Sequence, residues 1–334
     1  YIAGQIDPLR VKFILDVVVS LGLKPVYIDY DMETYSFDIS KLDSLKDKDI
    51  RVMLVTPIFG VVPNMLQIKD FCENQNIFLI EDFSQCLNGK ILDKKIGTFG
   101  KASIYSASSI KTLDTLGGGM LVTSSKDIYT SQKKEQEKMP PPSRFLLLKR
   151  AIINLIRNLA TNPLLFNLFT IHMIRILALK NKENALRQTG TRDKTRLSEL
   201  PKEWFYSYSS VQARIALENI NKVINNDNKR RQCANFYFDK IGSKHFAQGA
   251  KSATNVYWQL PIKTNDSKAF HDSLRSQGVD SALTSLQLIS SLDNYPGHLH
   301  LPIAEKIFNN GLFIPCYAQL KKTKLYQFNQ YYFS

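Results

Sequence analysis

The chain's 334 residues are 44% hydrophobic and carry a formal net charge of +14, enough apolar material to bury a large core over more than one domain. Cys72, Cys86, Cys233 and Cys316 are scattered without a CxxC pair, which leaves no metal-ligand spacing, disfavours a disulfide framework and fits a reducing cytosol. Between Lys133 and Arg196 stand fourteen basic and four acidic residues, so most of the excess charge sits there, interleaved with Leu and Ile rather than with stacking aromatics; that argues against nucleic acid as the partner.

The chain opens on Tyr1, as expected of a fragment or of a chain trimmed at its N-terminus. "KPVYIDY" (24–30) and "IRVMLVTPIF" (50–59) read as strands, rich in Val and Ile. "NMLQIKDFCENQN" (64–76) places Met65, Ile68 and Phe71 at helical spacing. "IFLIEDFS" (77–84), "KASIYSAS" (101–108) and "GGMLVTSS" (118–125) are three further strands. Alternation of this kind, with continuous apolar strands, predicts an α/β fold on a mainly parallel sheet covered on both faces. Ligands of such sheets bind at the carboxyl ends of the strands, where Asp82 and Ser106 fall.

"MPPPSR" (139–144) then breaks the pattern. The next 36 residues, "FLLLKRAIINLIRNLATNPLLFNLFTIHMIRILALK" (145–180), contain no acid, and Pro163 divides them into two expected helices. Arg157, Asn158, Asn162, Asn167 and His172 interrupt both halves too often for a membrane span. Two readings stay open: packing on the rest of the fold or on a partner subunit, or an interfacial pair whose cations face anionic lipid. After a polar linker (181–203), "SSVQARIALENINKVINNDNKRRQCANFYFDKI" (209–241) predicts one long helix. A small α+β unit closes the chain: strand 255–263, helix 266–278, helix 301–311 and strand 312–317. The expected division is 1–140, a large domain; 141–203, a basic apolar helical insert and linker; and 204–334, the long helix with a small C-terminal domain.

A carboxylate at the end of a buried strand calls for a partner, because a buried charge is costly alone. Asp82 is such a group, and Lys111 follows 29 residues later in "YSASSIKTLDTLGGG". A lysine amine so placed suits Schiff-base chemistry with a carbonyl. A carboxylate opposite it suits a pyridine ring whose nitrogen must stay protonated, as in pyridoxal phosphate. Ser106, Ser108 and Ser109 offer donors to a phosphate, and Gly117, Gly118 and Gly119 permit close backbone approach. The bland alternatives are a loop lysine and a helix-capping acid. His245, His271 and the His298-x-His300 pair lack a third metal ligand, Cys86 reads as a small buried side chain, and Lys94 and Lys95 read as solvated turn charges.

"GLKPVYIDYDMETYSFD" (22–38), "IEDFSQ" (80–85), "GTFG" (97–100), "YSASSIKTLDTLGGGMLVT" (105–123), "VQARIAL" (211–217) and "LPIAEKIFNNGLFIPCY" (301–317) occur in one order. That order resembles the DegT/DnrJ/EryC1/StrS aminotransferases, pyridoxal-phosphate enzymes of fold type I that aminate keto-sugars attached to nucleotides. The resemblance spans nearly the whole chain, except a family N-terminal segment with a phosphate-gripping Gly-Ser/Thr-Ala turn, which this chain is expected to lack. It implies that Asp82 meets the pyridine nitrogen, Gln85 lies beside the ring, Ser106 contacts the phosphate and Lys111 is the Schiff-base lysine. It further implies L-glutamate as amino donor, a nucleotide keto-sugar as acceptor, ping-pong kinetics, a homodimer, a cytoplasmic setting and a role in surface polysaccharide or lipopolysaccharide biosynthesis. Retention of the lysine separates this chain from relatives that replace it and dehydrate. Some positions depart from the pattern: Pro57 and Asn64 replace a His and an Asp, Phe205 and Ser207 replace an Asn and an Arg, and 282–291 lacks a His. The contrary readings are a non-catalytic scaffold docked on a membrane through 145–180, and a fold-type-I enzyme for amino acids, for which Arg275 is the sole C-terminal arginine.

Overall fold

The computed structural model describes residues 2–4, 12–170, 172–173, 176, 196–276, 279, 281–283, 288–292, 301–318 and 320. A six-stranded sheet forms the frame. Its strands are Ile2–Gly4 (β1), Pro25–Tyr27 (β2), Val52–Val55 (β3), Phe78–Asp82 (β4), Ala102–Ser106 (β5) and Gly119–Val122 (β6), lying in the order β6-β5-β4-β3-β1-β2. All neighbours are parallel except β6, which returns antiparallel beside β5 after the 107–118 loop. The chain is thus α/β with a mostly parallel sheet, as its continuous apolar strands imply. In register, Asp82 on β4 stands opposite Ile104 on β5. Their shared carboxyl end faces the same way as the 107–118 loop.

Two helices have weak sequence signals: Lys12–Ser20 (α1), and Lys126–Lys138 (α3), which buries none of its side chains. Met65–Asn74 (α2) starts at Asn64, whose side chain accepts from the Gln67 N–H at 3.3 Å. The Asp-to-Asn departure at this position therefore keeps the helix cap. Arg144–Ala160 (α4) opens the basic insert under a Ser143 cap, and a further turn begins at Pro163. Ser210–Ile241 (α5) is one helix of 32 residues, started by a reciprocal capping box between Ser209 and Gln212. Ser267–Ser276 (α6) and Pro302–Asn309 (α7) accompany three short antiparallel strands, Leu260–Ile262 (β7), Ala282–Leu283 (β8) and Leu312–Ile314 (β9), in the order β7-β9-β8.

Buried apolar side chains form two clusters. One joins Met53 and Val55 of β3 to Met65 and Ile68 of α2 and to Phe37, Leu42 and Leu45. The other joins Leu15 and Val18 of α1 to Tyr237 of α5 and to Leu260, Leu312 and Phe313 of the C-terminal sheet. Helix α5 and the C-terminal sheet thus share a core with the first helix. Leu15 is fully buried in it, and its truncation to Ala would cost about 2–5 kcal/mol. His271 lies in the same region as a satisfied core residue, its Nδ1 2.8 Å from the Ser281 hydroxyl. His298 and His300 lie outside the described residues.

Candidate active site

Glu81 and Asp82 leave the same strand on opposite faces, because side chains alternate along β4. Glu81 turns into the core and is fully buried. Its carboxylate accepts three backbone N–H groups, from Gly97 at 2.7 Å, Phe99 at 2.6 Å and Gly100 at 2.7 Å. Burial pushes its carboxyl above the ordinary range, and the three N–H donors pull it partly back. Glu81 therefore fastens the Gly-Thr-Phe-Gly turn and is not open to a ligand. Asp82 is half-buried and faces the carboxyl end of the sheet. Its Oδ1 accepts from the Ser84 N–H at 3.0 Å and from the Ser84 hydroxyl, and the Ser84 Oγ in turn accepts from the Ser106 N–H at 2.8 Å. The expected partner for Asp82 was a cation. Among the described residues its first partner is a serine instead, and its Oδ2 accepts no hydrogen bond.

Lys111 sits on the 107–118 loop between β5 and β6. The loop is pinned at both ends: Ala107 N–H donates to Gly118 O, and Thr115 and Gly117 N–H donate to Ala107 O. In its middle the Leu113 N–H donates to the buried Tyr105 hydroxyl at 2.9 Å. The Lys111 Nζ lies 5.0 Å from the centre of the Trp258 ring, a cation–π distance. Trp258 Nε1 also donates to Ile110 O at 3.3 Å. Sequence reasoning placed 255–263 in a strand. The structure confines the strand to β7, and 255–258 run as irregular backbone, bonded to Gly60 O, that carries this tryptophan to the lysine loop. An aromatic four residues after Thr254 in an expected strand carried no signal of that role.

Gln85 is buried, and its Oε1 accepts the Phe59 N–H at 2.8 Å. Phe59 holds a left-handed backbone with φ 59°. Next to it Gly60 has φ +75°, and a Cβ there would stand 2.7 Å from the Trp258 backbone nitrogen and 2.9 Å from Gln85 O. Gln85 thus secures the turn after β3, the stretch in which Pro57 and Asn64 depart from the resembled pattern.

A cleft of about 820 Å³ opens beside these groups, lined by Ser106, Ser108 and Ser109, by Phe13 and Val17 of α1, and by Trp204, Tyr206 and Ser207. Asp82, Gln85 and Lys111 are not among its lining residues. The structure therefore joins Asp82 to Ser106 through Ser84 and opens Ser106 to the cleft, while Lys111 is placed with Trp258. All three glycines border the cleft, and two of them are packed over by side chains. The space over Gly117 (φ +95°) is filled by the Arg150 guanidinium, and that over Gly118 (φ +84°) by the Tyr208 ring.

The insert reaches this site too. From α4, Arg150 donates to Leu116 O at 2.9 Å, Asn154 donates to Asp114, and Arg157 donates to Ser109 O at 3.1 Å. Burial pushes the Asp114 carboxyl above its ordinary range, and the Leu116 N–H, Arg157 and Asn154 pull it only partly back. On the far side, Gln212 of α5 donates to Gly117 O at 2.9 Å, and Tyr208 donates to the Thr115 hydroxyl at 2.6 Å. Two helices therefore grip the lysine loop by polar contacts that no short motif announces.

The family model for the DegT/DnrJ/EryC1/StrS aminotransferase family matches residues 14–136 and 177–328. The chain belongs to this family. Among curated proteins the chain is similar to the GDP-perosamine synthase of Escherichia coli O157:H7, 32% identical over 108 residues, which is 32% of this chain and 30% of that protein. The GDP-perosamine synthase of Vibrio cholerae is 26% identical over 111 residues, 33% of this chain and 30% of the relative. These matches thus span less than a third of the relatives' length. Helicobacter pylori PseC, described as an aminotransferase involved in the biosynthesis of pseudoaminic acid, shares the fold. It has a TM-score of 0.68 and 16% identity, over 97% of this chain and 76% of that one. The sugar aminotransferase CalS13 from Micromonospora echinospora shares it at a TM-score of 0.64 and 20% identity, over 97% and 77%. Residues 137–176, which contain α4, lie between the two segments that the family model matches.

Proposed function

We propose that the protein transfers an amino group from L-glutamate to a keto-sugar carried on a nucleotide, with pyridoxal phosphate as cofactor. The observation that carries this reading is the placement of Asp82 and Ser106 at the carboxyl ends of neighbouring parallel strands, with the Lys111 loop leaving the second of them. Family membership supports the reaction class, and the names of the GDP-perosamine synthases point to a nucleotide-linked product.

The residues present fit the cofactor. Asp82 keeps one carboxylate oxygen without a hydrogen bond among the described residues, suited to a ring N–H. Ser106 and Ser108 face an open cleft, suited to a phosphate. When bound, pyridoxal phosphate supplies an aldehyde carbon and a ring that takes up an electron pair. Asp82 holds the proton on the ring nitrogen, since an adjacent carboxylate favours the charged form. Ser84 orients that carboxylate through Oδ1. The Lys111 amine takes the proton from the α-carbon of the donor and later delivers one to the sugar carbon that gains nitrogen, acting as base and then acid. The centre of the Trp258 ring stands 5.0 Å from the amine, at cation–π distance. Gln85, anchored at Phe59, borders the ring in this proposal. Lysine at position 111 favours transamination over dehydration.

A homodimer, a cytoplasmic setting with contact between 145–180 and a membrane, and a place in surface polysaccharide biosynthesis belong to the same proposal. No described helix is long and apolar enough to cross a membrane. The test is an absorbance spectrum with added pyridoxal phosphate beside a Lys111→Ala variant. A visible band in the parent, absent from the variant and bleached by L-glutamate, is the expected result. Absence of the band from both proteins overturns the proposal.

A further inference from the structure

Helix α4 is built inside-out. An amphipathic helix on a water-soluble protein normally turns its apolar stripe inward. Here Arg150, Asn154 and Arg157, spaced i, i+4, i+7, face the protein and bond the Lys111 loop. Phe145, Leu148, Ile152, Leu155, Ile156 and Leu159 form a stripe on the opposite face and are 48–77% exposed. No residue of α4 is buried. The apolar surface continues past Pro163 through Leu164, Leu168, Phe169, Met173 and Ile176, all at least 49% exposed. An exposed apolar face of this extent marks a docking surface.

We propose that this face lies in the headgroup region of an anionic lipid bilayer. The proposal rests on the membrane contact suggested above and gives it a surface chemistry and an orientation. Charge complementarity selects the occupant. Residues 145–180 contain no Asp or Glu, and the exposed cations beside the described stripe are Arg144 and Lys149, Arg150 and Arg157 being turned to the lysine loop. A second copy seated on this face would oppose like charges, whereas an anionic surface is attracted to them. The exposed Arg144 and Lys149 flank the apolar stripe, placed to reach headgroups while their stems lie along it. Arg150, Ile153 and Asn154 of α4 also line the 820 Å³ cleft, so docking holds the cleft beside the bilayer surface.

The experiment is flotation of the full chain with phosphatidylglycerol-containing vesicles and, separately, with pure phosphatidylcholine vesicles. The parent is expected to float with the anionic vesicles and far less with the zwitterionic ones. Arg144→Gln/Lys149→Gln is expected to weaken anionic binding about thirtyfold, at ~1 kcal/mol per surface cation. Ile152→Asn/Leu155→Asn/Ile156→Asn, at exposed positions that the fold does not need, is expected to abolish binding while circular dichroism stays unchanged. Equal binding to both vesicle types overturns the charge selection but leaves membrane contact standing. No binding to either overturns both, and if the triple variant then lowers the oligomeric state, the face is an interface between copies. The pyridoxal phosphate band is read on the same samples, so failure of the transaminase reading is seen separately.

Discussion

Replacing Glu81 by Gln tests the assignment of the two adjacent acids. In the parent, one carboxylate oxygen takes the N–H groups of Phe99 and Gly100 and the other takes that of Gly97. A glutamine carbonyl can keep the first two, but its NH2 then abuts the Gly97 donor. One orphaned buried donor costs about 1–3 kcal/mol. For a chain of this size that lowers Tm by about 1–4 °C. Glu81→Ala orphans all three donors and leaves a void, so its loss is larger, ~4 kcal/mol. The pH dependence carries a sign. Burial raises the folded carboxyl of Glu81 above its unfolded value, so the parent gains stability that is full below the unfolded pKa and lost as pH rises through the folded one. Glutamine lacks this component, and the deficit of the variant is therefore widest at the acid end and narrows toward neutral pH. Asp82→Asn, at a half-buried position that keeps its Oδ1 for Ser84, is expected to change stability by less than ~1 kcal/mol while removing the ring-nitrogen partner. Urea unfolding of the three variants between acid and neutral pH decides the matter. A Glu81→Gln protein as stable as the parent throughout, or an Asp82→Asn protein that unfolds, would refute the division of labour.

Gly60→Ala meets backbone atoms of Trp258 and Gln85 within 3 Å at a positive φ. It is expected to cost more than ~2 kcal/mol, read by thermal melting, and to shift Trp258 fluorescence. Asn154→Ala/Arg157→Ala releases two of the three α4 contacts to the lysine loop, and pyridoxal phosphate affinity by absorbance titration is expected to fall about tenfold as ~1.4 kcal/mol of loop restraint is lost. All four cysteines are buried, and burial pushes the Cys72 thiol up to about 12. Ellman's reagent at pH 8 is expected to label them only as denaturant unfolds the chain; rapid native labelling of Cys72 or Cys86 would contradict the packing.

Most of the frame was legible because it rests on local patterns. Met65, Ile68 and Phe71 keep helical spacing and lie buried on α2, and the apolar runs at 52–55, 78–82 and 102–106 became central strands. Elements without such a pattern went unread. Helix α3 buries nothing and so shows no apolar periodicity, and the irregular stretch at 255–258 looks like a strand in sequence because its Val, Tyr and Trp favour strands. At the site, Asp82 and Ser106 could be placed at strand ends from sequence, but Ser84 and Trp258 could not. Their roles depend on register across the sheet and on a return of the chain nearly 150 residues later. The same limit applies to α4. Its sequence is amphipathic either way round, and only the contacts reveal that the polar side is the one facing the protein.

Helix α5 is tied down at two distant points, Gln212 to Gly117 O near its start and Tyr237 to Pro315 O near its end. The ties are twenty-five residues apart, about seven turns and roughly 37 Å. Both therefore point from the same side of a rod, which acts as a strut between the lysine loop and the C-terminal sheet. A strut of this kind is sensitive to phase. One residue inserted between the ties would swing one end about 100° from its acceptor, while an insertion of seven would nearly restore the angle and only lengthen the span. The spacing of the two anchors, more than the identity of the residues between them, sets how the lysine loop and the C-terminal sheet stand to each other.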